Sequence, residues 1–193
     1  MLERQSNRLK KLIEDLIEAS KASTGNLAVH LEKLEAGVSV VQIVGEFEDK
    51  LNAADLTLLI QKPETPVYVM ADGRHFWRVI DNLMNNICKY AQPGTRVYVD
   101  LRENGGQVEL IFRNTSRYPL NISSEELMER FVRGDESRNT EGSGLGISIA
   151  KSLMELMGGS FMLYVDGDLF KVVLGFAQIA EEKEPLNEDE SGK

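Results

Sequence analysis

The chain opens on a helical pattern. In "MLERQSNRLKKLIEDLIEASKAS", Leu2, Leu9 and Leu16 recur every seven residues, and Leu12, Ile13 and Ile17 widen the apolar stripe. Most other positions are charged, as in a helix that packs against further helices. Ser23, Thr24 and Gly25 end it. Such a stripe needs cover from the body, a second copy or a partner helix, and the pattern favours part of a helical bundle. The alternation in "NLAVHLEKL" predicts a strand, and helical spacing returns over residues 40–51. "TLLIQKPE" and "PVYVMADG" read as strands around a turn at residues 63–66. A helix over 74–90 precedes "TRVYVDL" and "QVELIF", joined at Asn104, Gly105 and Gly106 as a hairpin with a bulged or three-residue loop. The polar stretch 114–142 holds one short helix, "SSEELMERF", capped by Ser123 or Ser124. A helix entered from "EGSGLG" and two strands, "SFMLYV" and "FKVVLGF", complete the series. The expected class is α+β, a two-layer α/β sandwich with one mixed sheet and helices on one face.

Composition narrows the picture without changing it. At 193 residues, 42% hydrophobic and 27% charged, the chain fits one domain of about 150 residues with appendages. No apolar run approaches the roughly 18–20 residues of a membrane span, and Met1 does not open a signal peptide. Cys88 is the sole cysteine, which excludes an internal disulfide, suits a reducing cytosol and reads as a packed thiol. With two histidines beside it, it does not assemble a zinc ligand set. A net charge of −9 argues against nucleic acid as a partner. The terminal "EEKEPLNEDESGK" carries six acids and two lysines and reads as a disordered tail. The expected organisation is a helix over 1–24, a globular domain over 25–178 and an acidic tail over 179–193.

Two stretches carry chemistry. In "FWRVIDNLMNNICKYA", Phe76, Val79, Ile80, Leu83, Met84, Ile87 and Tyr90 form the apolar stripe, and Asn82, Asn85, Asn86 and Lys89 lie off it. Asn82, Asn86 and Lys89 follow at spacings of four and three, so they share one helical ridge. An amide oxygen can ligate Mg²⁺, amide N–H groups can bond phosphate oxygens, and the lysine adds charge, so this ridge suits a bound triphosphate. A solvated polar face is the plainer reading. In "EGSGLGISIAKSLMELMGG", three glycines fall within five residues immediately before a helix. They remove side chains from a backbone that could hold phosphate at a helix N-terminus, or else form a hinge.

Together these stretches resemble the ATP-binding catalytic domain of sensor histidine kinases. "NLMNNICKYA" is similar to that family's asparagine box, "ERFVRGD" to its phenylalanine box, and "EGSGLG" to its second glycine box, in the family's order and spacing. The resemblance extends over roughly residues 28–176, and "QSNRLKKLIEDLIEASKAS" resembles the second helix of the family's dimerisation hairpin. It implies the Bergerat-type sandwich, ATP as the bound nucleotide and Mg²⁺ with it. Asn86 is implied as the metal ligand, and Asn82 as a polar catalytic contact beside it. Lys89 and Tyr90 would approach phosphate and ribose, and Arg133, with Arg138, would reach phosphate from a lid. Gly142, Ser143, Gly144, Leu145 and Gly146 would supply backbone donors.

Other branches of the superfamily carry a water-activating glutamate where this chain has Asn82, so phosphotransfer rather than hydrolysis is implied. The first glycine box departs from the family pattern: "NTSRYP" stands where an aspartate and two glycines are usual. Asn114 would take the adenine-recognising place with a neutral acceptor. The expected activity is transfer of the γ-phosphate to a histidine on a dimerisation hairpin, then to an aspartate of a response regulator. Neither His30 nor His75 has the context of that acceptor, so this chain alone is expected not to label itself. Implied partners are the chain's own dimerisation domain, in a homodimer, and a response-regulator receiver domain, with no direct membrane contact from this segment. The expected location is the cytoplasm, with the full-length protein anchored in a membrane in some family members. The alternative is a non-catalytic nucleotide-binding scaffold of the same fold.

Overall fold

The computed structural model describes residues 2–120, 123–133 and 145–179. Helix α1 (Leu2–Ser23) ends where Thr24 Oγ1 donates to the Ser20 carbonyl at 2.9 Å and Gly25 takes a φ of +69°. There follow β1 (Glu32–Glu35), α2 (Ala36–Gly45), α3 (Glu48–Ala53), β2 (Leu56–Gln61), β3 (Tyr68–Ala71), α4 (Gly73–Tyr90), β4 (Thr95–Asn104) and β5 (Gln107–Thr115). Helices α5 (Ser124–Arg133) and α6 (Gly146–Leu156) precede the closing strands β6 (Ser160–Asp166) and β7 (Leu169–Ile179). The seven strands form one mixed sheet in the order β1-β3-β7-β5-β4-β2, with β6 also paired to β7.

Strand alternation decides which face the helices cover. Val97 and Val99 on β4, Leu110 and Phe112 on β5, and Val172 and Leu174 on β7 are all buried. They meet the apolar sides of α4 and α6, represented by Phe76, Ile80, Leu83, Ile149 and Leu153. The opposite sheet face keeps Leu59, Met162 and Tyr164 exposed. That is the two-layer α+β sandwich anticipated from the pattern.

Four local expectations change. The helix expected over 40–51 is two helices, because Phe47 turns inward between them and is buried. Helix α2 starts earlier, at Ala36, where the Glu35 carboxylate accepts the N–H groups of Gly37 and Val38. The loop between β4 and β5 is two residues long: Asn104 faces Gln107, and Gly105 and Gly106 both take positive φ. That is the backbone a tight hairpin requires. Strands β2 and β3, read as neighbours around a proline turn, do not pair. Strand β2 lies parallel to β4 at one edge, while β3 joins β1 and β7 towards the other. Of "NLAVHLEKL" only the last three residues are strand, in β1, which runs on to Glu35, because only this part finds a partner in β3.

The start of α4 is fixed by Asp72. Its carboxylate accepts the backbone N–H groups of Arg74 at 3.0 Å, His75 at 3.2 Å and His30 at 2.8 Å. His75 Nε2 lies 2.9 Å from the Ala28 carbonyl oxygen, so the segment after α1 is pinned beside this cap. Burial alone would raise the Asp72 pKa, but the N–H donors and neighbouring His75 hold it below the ordinary carboxylate value.

Replacing Asp72 with alanine removes a cap and a tertiary clasp together, and should cost about 1–3 kcal/mol in urea unfolding. Because the folded pKa is lowered, the ionised group stabilises the fold above an unfolded value of about 3.9, and this is lost as pH falls through the folded pKa. The stability gap between wild type and Asp72→Asn should therefore be full at pH 6 and shrink below about pH 4.

Candidate nucleotide site

Helix α4 cannot rotate freely. Phe76, Val79, Ile80, Leu83, Met84 and Ile87 are each no more than 1% exposed, which turns the opposite residues away from the sheet. Asn82, Asn86 and Lys89 are half-buried along one ridge, with about 6 Å between Asn82 and Asn86 along the axis. The neighbouring Asn85 is engaged within the protein. Its Nδ2 donates to Asp81 Oδ1 at 2.8 Å, and its Oδ1 accepts from Lys50 Nζ at 3.0 Å. Lys89 Nζ stands 4.8 Å from the centroid of the Tyr90 ring.

Helix α6 packs beside α4. Its first residue, Gly146, comes so close to α4 that a Cβ there would stand 3.2 Å from Asn82 Oδ1. Leu145 at the N-cap offers this helix no side-chain hydrogen bond. The first-turn N–H groups and the positive end of the dipole therefore lie beside the Asn82 amide. Asn82 Nδ2 is itself buried and has no hydrogen-bond partner among the described residues.

The far end of α4 is tied to the end of β5. The Gln92 N–H donates to the Thr115 carbonyl at 2.9 Å, the Arg117 N–H donates to the Tyr90 carbonyl at 2.8 Å, and Ala91 bridges Ser116. Asn114, on the helix-facing side of β5, is buried here. Its Nδ2 donates to the Thr115 carbonyl at 3.2 Å, leaving Oδ1 buried without a partner among the described residues. A buried polar atom left unpaired is uncommon and is a place where a ligand atom fits. The region between Asn82 and Tyr90 spans about 12 Å along the axis. It thus offers a donor at one end and an acceptor at the other.

Residues 71–185 match the family model described as "Histidine kinase-, DNA gyrase B-, and HSP90-like ATPase". The chain belongs to this family. Among curated relatives, the probable sensor protein PcoS of Escherichia coli is 28% identical over 171 residues, covering 86% of this chain and 36% of that protein. The sensor protein IrlS of Burkholderia pseudomallei is 26% identical over 156 residues, covering 79% and 33%. The chain thus spans about a third of the length of these relatives. In fold it is similar to the Acinetobacter baumannii histidine kinase AdeS, with a TM-score of 0.73 at 21% identity over 93% of this chain and 83% of that one.

Within this family member, the structure brings Asn82, Asn86, Lys89, Tyr90, Leu145 and Gly146 to the α4–α6 side of the sheet, with Asn114 beneath the end of α4. Arg133 is the last residue of α5, which packs against α6, and its side chain is not among those described. Gly142, Ser143, Gly144 and Arg138 lie outside the described residues, as do 180–193 of the tail. Ile179, assigned to the tail from sequence, belongs to β7. His75 is buried against a backbone carbonyl. Cys88 is half-buried and burial pushes its thiol pKa up, so it holds little reactive thiolate. Sequence reading passed over Arg78, although it lies one turn before Asn82 on the same ridge.

The Asn114 amide makes a bond that a carboxylate cannot. Asn114→Asp places an oxygen against the Thr115 carbonyl in a buried position, and should cost about 1–3 kcal/mol of stability near neutral pH. Urea unfolding should show part of this loss recovered at low pH, where the new carboxyl is protonated and donates again.

Proposed function

We propose that the chain is the ATP-binding catalytic domain of a two-component sensor histidine kinase. It would bind Mg-ATP and donate the γ-phosphate to a histidine on a dimerisation hairpin, for relay to a response-regulator aspartate. Helix α1 would be the second helix of that hairpin. The observation that carries the reading is the pair of buried amide atoms, Asn82 Nδ2 and Asn114 Oδ1, that have no partner among the described residues and lie on the helix-facing side of one domain. An adenine amino group would complete Asn114 Oδ1, and a phosphate oxygen would complete Asn82 Nδ2.

The donor set suits magnesium in the manner of phosphate-bound sites. Among the described residues no cluster of three acidic, histidine or cysteine side chains exists to hold a bare cation. A single amide oxygen from Asn86, completed by phosphate oxygens and water, matches the few protein ligands Mg²⁺ takes. When bound, the ion would neutralise charge on the transferred group. Lys89 adds a fixed positive charge, and the α6 N-terminus adds backbone donors and its dipole. Tyr90 would border the ribose. Arg133 and residues 142–146 would close on the phosphates.

The position facing the phosphates holds no base. The Asn82 amide cannot accept a proton from water at neutral pH, so the domain orients ATP without activating a hydrolytic nucleophile. Positioning and charge compensation would supply the rate, with the nucleophile arriving on another element. His75 does not fit that role, being buried on a carbonyl. His30 is exposed in the segment beside the Asp72 cap, away from the α4 ridge.

Calorimetry should show ATP binding that requires Mg²⁺ and that Asn86→Ala reduces by at least tenfold. Unchanged affinity in that variant would remove the metal assignment. Incubation with γ-labelled ATP should leave this chain unlabelled but label an added hairpin segment that carries an acceptor histidine. Nucleotide binding without transfer to a competent acceptor would instead support the non-catalytic scaffold.

A further inference from the structure

Four members of the α1 apolar stripe face away from the body. Leu9, Ile13, Leu16 and Ile17 remain 49–61% exposed, while Asp15 and Ala22 are buried. The polar contact converges on Arg78 of α4. Its Nη2 lies 2.7 Å from Asp15 Oδ1 and 2.8 Å from Glu18 Oε2, its Nε donates to Glu18 Oε2 at 2.9 Å, and its Nη1 lies 3.5 Å from Asp81 Oδ2. Burial alone would lower the Arg78 pKa, but Glu18 and Asp15 raise it, so the cation is held. These side chains are only 8–22% exposed, which sets the node apart from the solvated surface pairs that contribute little.

Two further facts give the node a purpose. Arg78 lies four residues before Asn82 on the ridge of the candidate site, about 6 Å along the axis. Helix α1 also packs against α6, whose first residue closes on Asn82. One helix therefore rests on both walls of the site: on α4 through a guanidinium clasp, and on α6 through packing.

We propose that Arg78 is a positioning residue that couples docking of α1 to occupancy of the nucleotide site. This rests on the nucleotide reading above. A ligand bridging α4 and α6 fixes the relative placement of the two surfaces on which α1 rests. Nucleotide binding therefore tightens α1 docking, and docking raises nucleotide affinity by the same factor, as linkage requires. Part of the coupling is ordering: whichever partner binds first has already restricted the α4–α6 pair for the second. The fork geometry matters, because one guanidinium spans two carboxylates and a lysine ammonium does not present the same planar donors.

The test uses the full chain with Mg²⁺ and a non-hydrolysable ATP analogue. Hydrogen exchange of the α1 amides should slow several-fold on saturation with analogue in the wild type. In Arg78→Ala, and equally in Asp15→Asn/Glu18→Gln, that response should vanish and analogue affinity should fall about three- to tenfold. Arg78→Lys should recover only part of it. The doubly substituted α1 is the decisive variant, since it leaves α4 and α6 unaltered. Loss of affinity in Arg78→Ala but not in that variant makes the arginine a local determinant of α4 and overturns the coupling. So does an α1 exchange rate indifferent to analogue in a wild type that binds it. Absence of binding in the wild type overturns both this inference and the nucleotide reading.

Discussion

The rotation of α4 about its own axis is the constraint on which the site depends. Six apolar side chains on this helix are almost wholly withdrawn from solvent against one sheet face. At roughly 1.5–3 kcal/mol for each fully buried large apolar side chain, turning this face away from the sheet would cost an amount comparable to the whole net stability of a typical domain. Asp72 sets where the helix begins, and the contacts of Gln92 and Arg117 set where it ends. The polar ridge therefore has one direction to face, towards α6. Gly146 then lets α6 come this near, because a Cβ there would press on the Asn82 amide.

This separates the two halves of the site by the kind of element that supplies them. Amide and ammonium groups come from inside a rigid helix, whereas backbone donors come from the start of a second helix. Asn114 extends the arrangement into the sheet, where the Thr115 carbonyl fixes which way its amide points. An amide held this way presents an acceptor without a buried charge. A buried amide carries a smaller desolvation cost than a buried carboxylate.

Much of this was legible in the sequence because it is local. The period of "FWRVIDNLMNNICKYA" gives both the buried stripe and the ridge, and Asn104, Gly105 and Gly106 mark a hairpin, although not that its loop is only two residues long. The pairing of β2 with β4 was not legible: prolines at 63 and 66 signal a turn but not which strand lies beside the next. The split between α2 and α3 depends on Phe47 turning inward, which a helical pattern does not distinguish from a helix that continues. Arg78 was invisible for the same reason, since its partners Asp15 and Glu18 are some sixty positions away. The asparagine run was also ambiguous as sequence. Only the structure shows Asn85 occupied by Asp81 and Lys50 while the buried Asn82 Nδ2 has no partner among the described residues.

That distinction gives the account its sharpest test. Side-chain amide resonances of the asparagines can be followed by nuclear magnetic resonance as Mg-ATP is added. The signals of Asn82, Asn86 and Asn114 should shift strongly together with the Gly146 backbone amide, while Asn85 stays nearly still. A large shift at Asn85 with Asn82 and Asn114 unmoved would contradict the site described above.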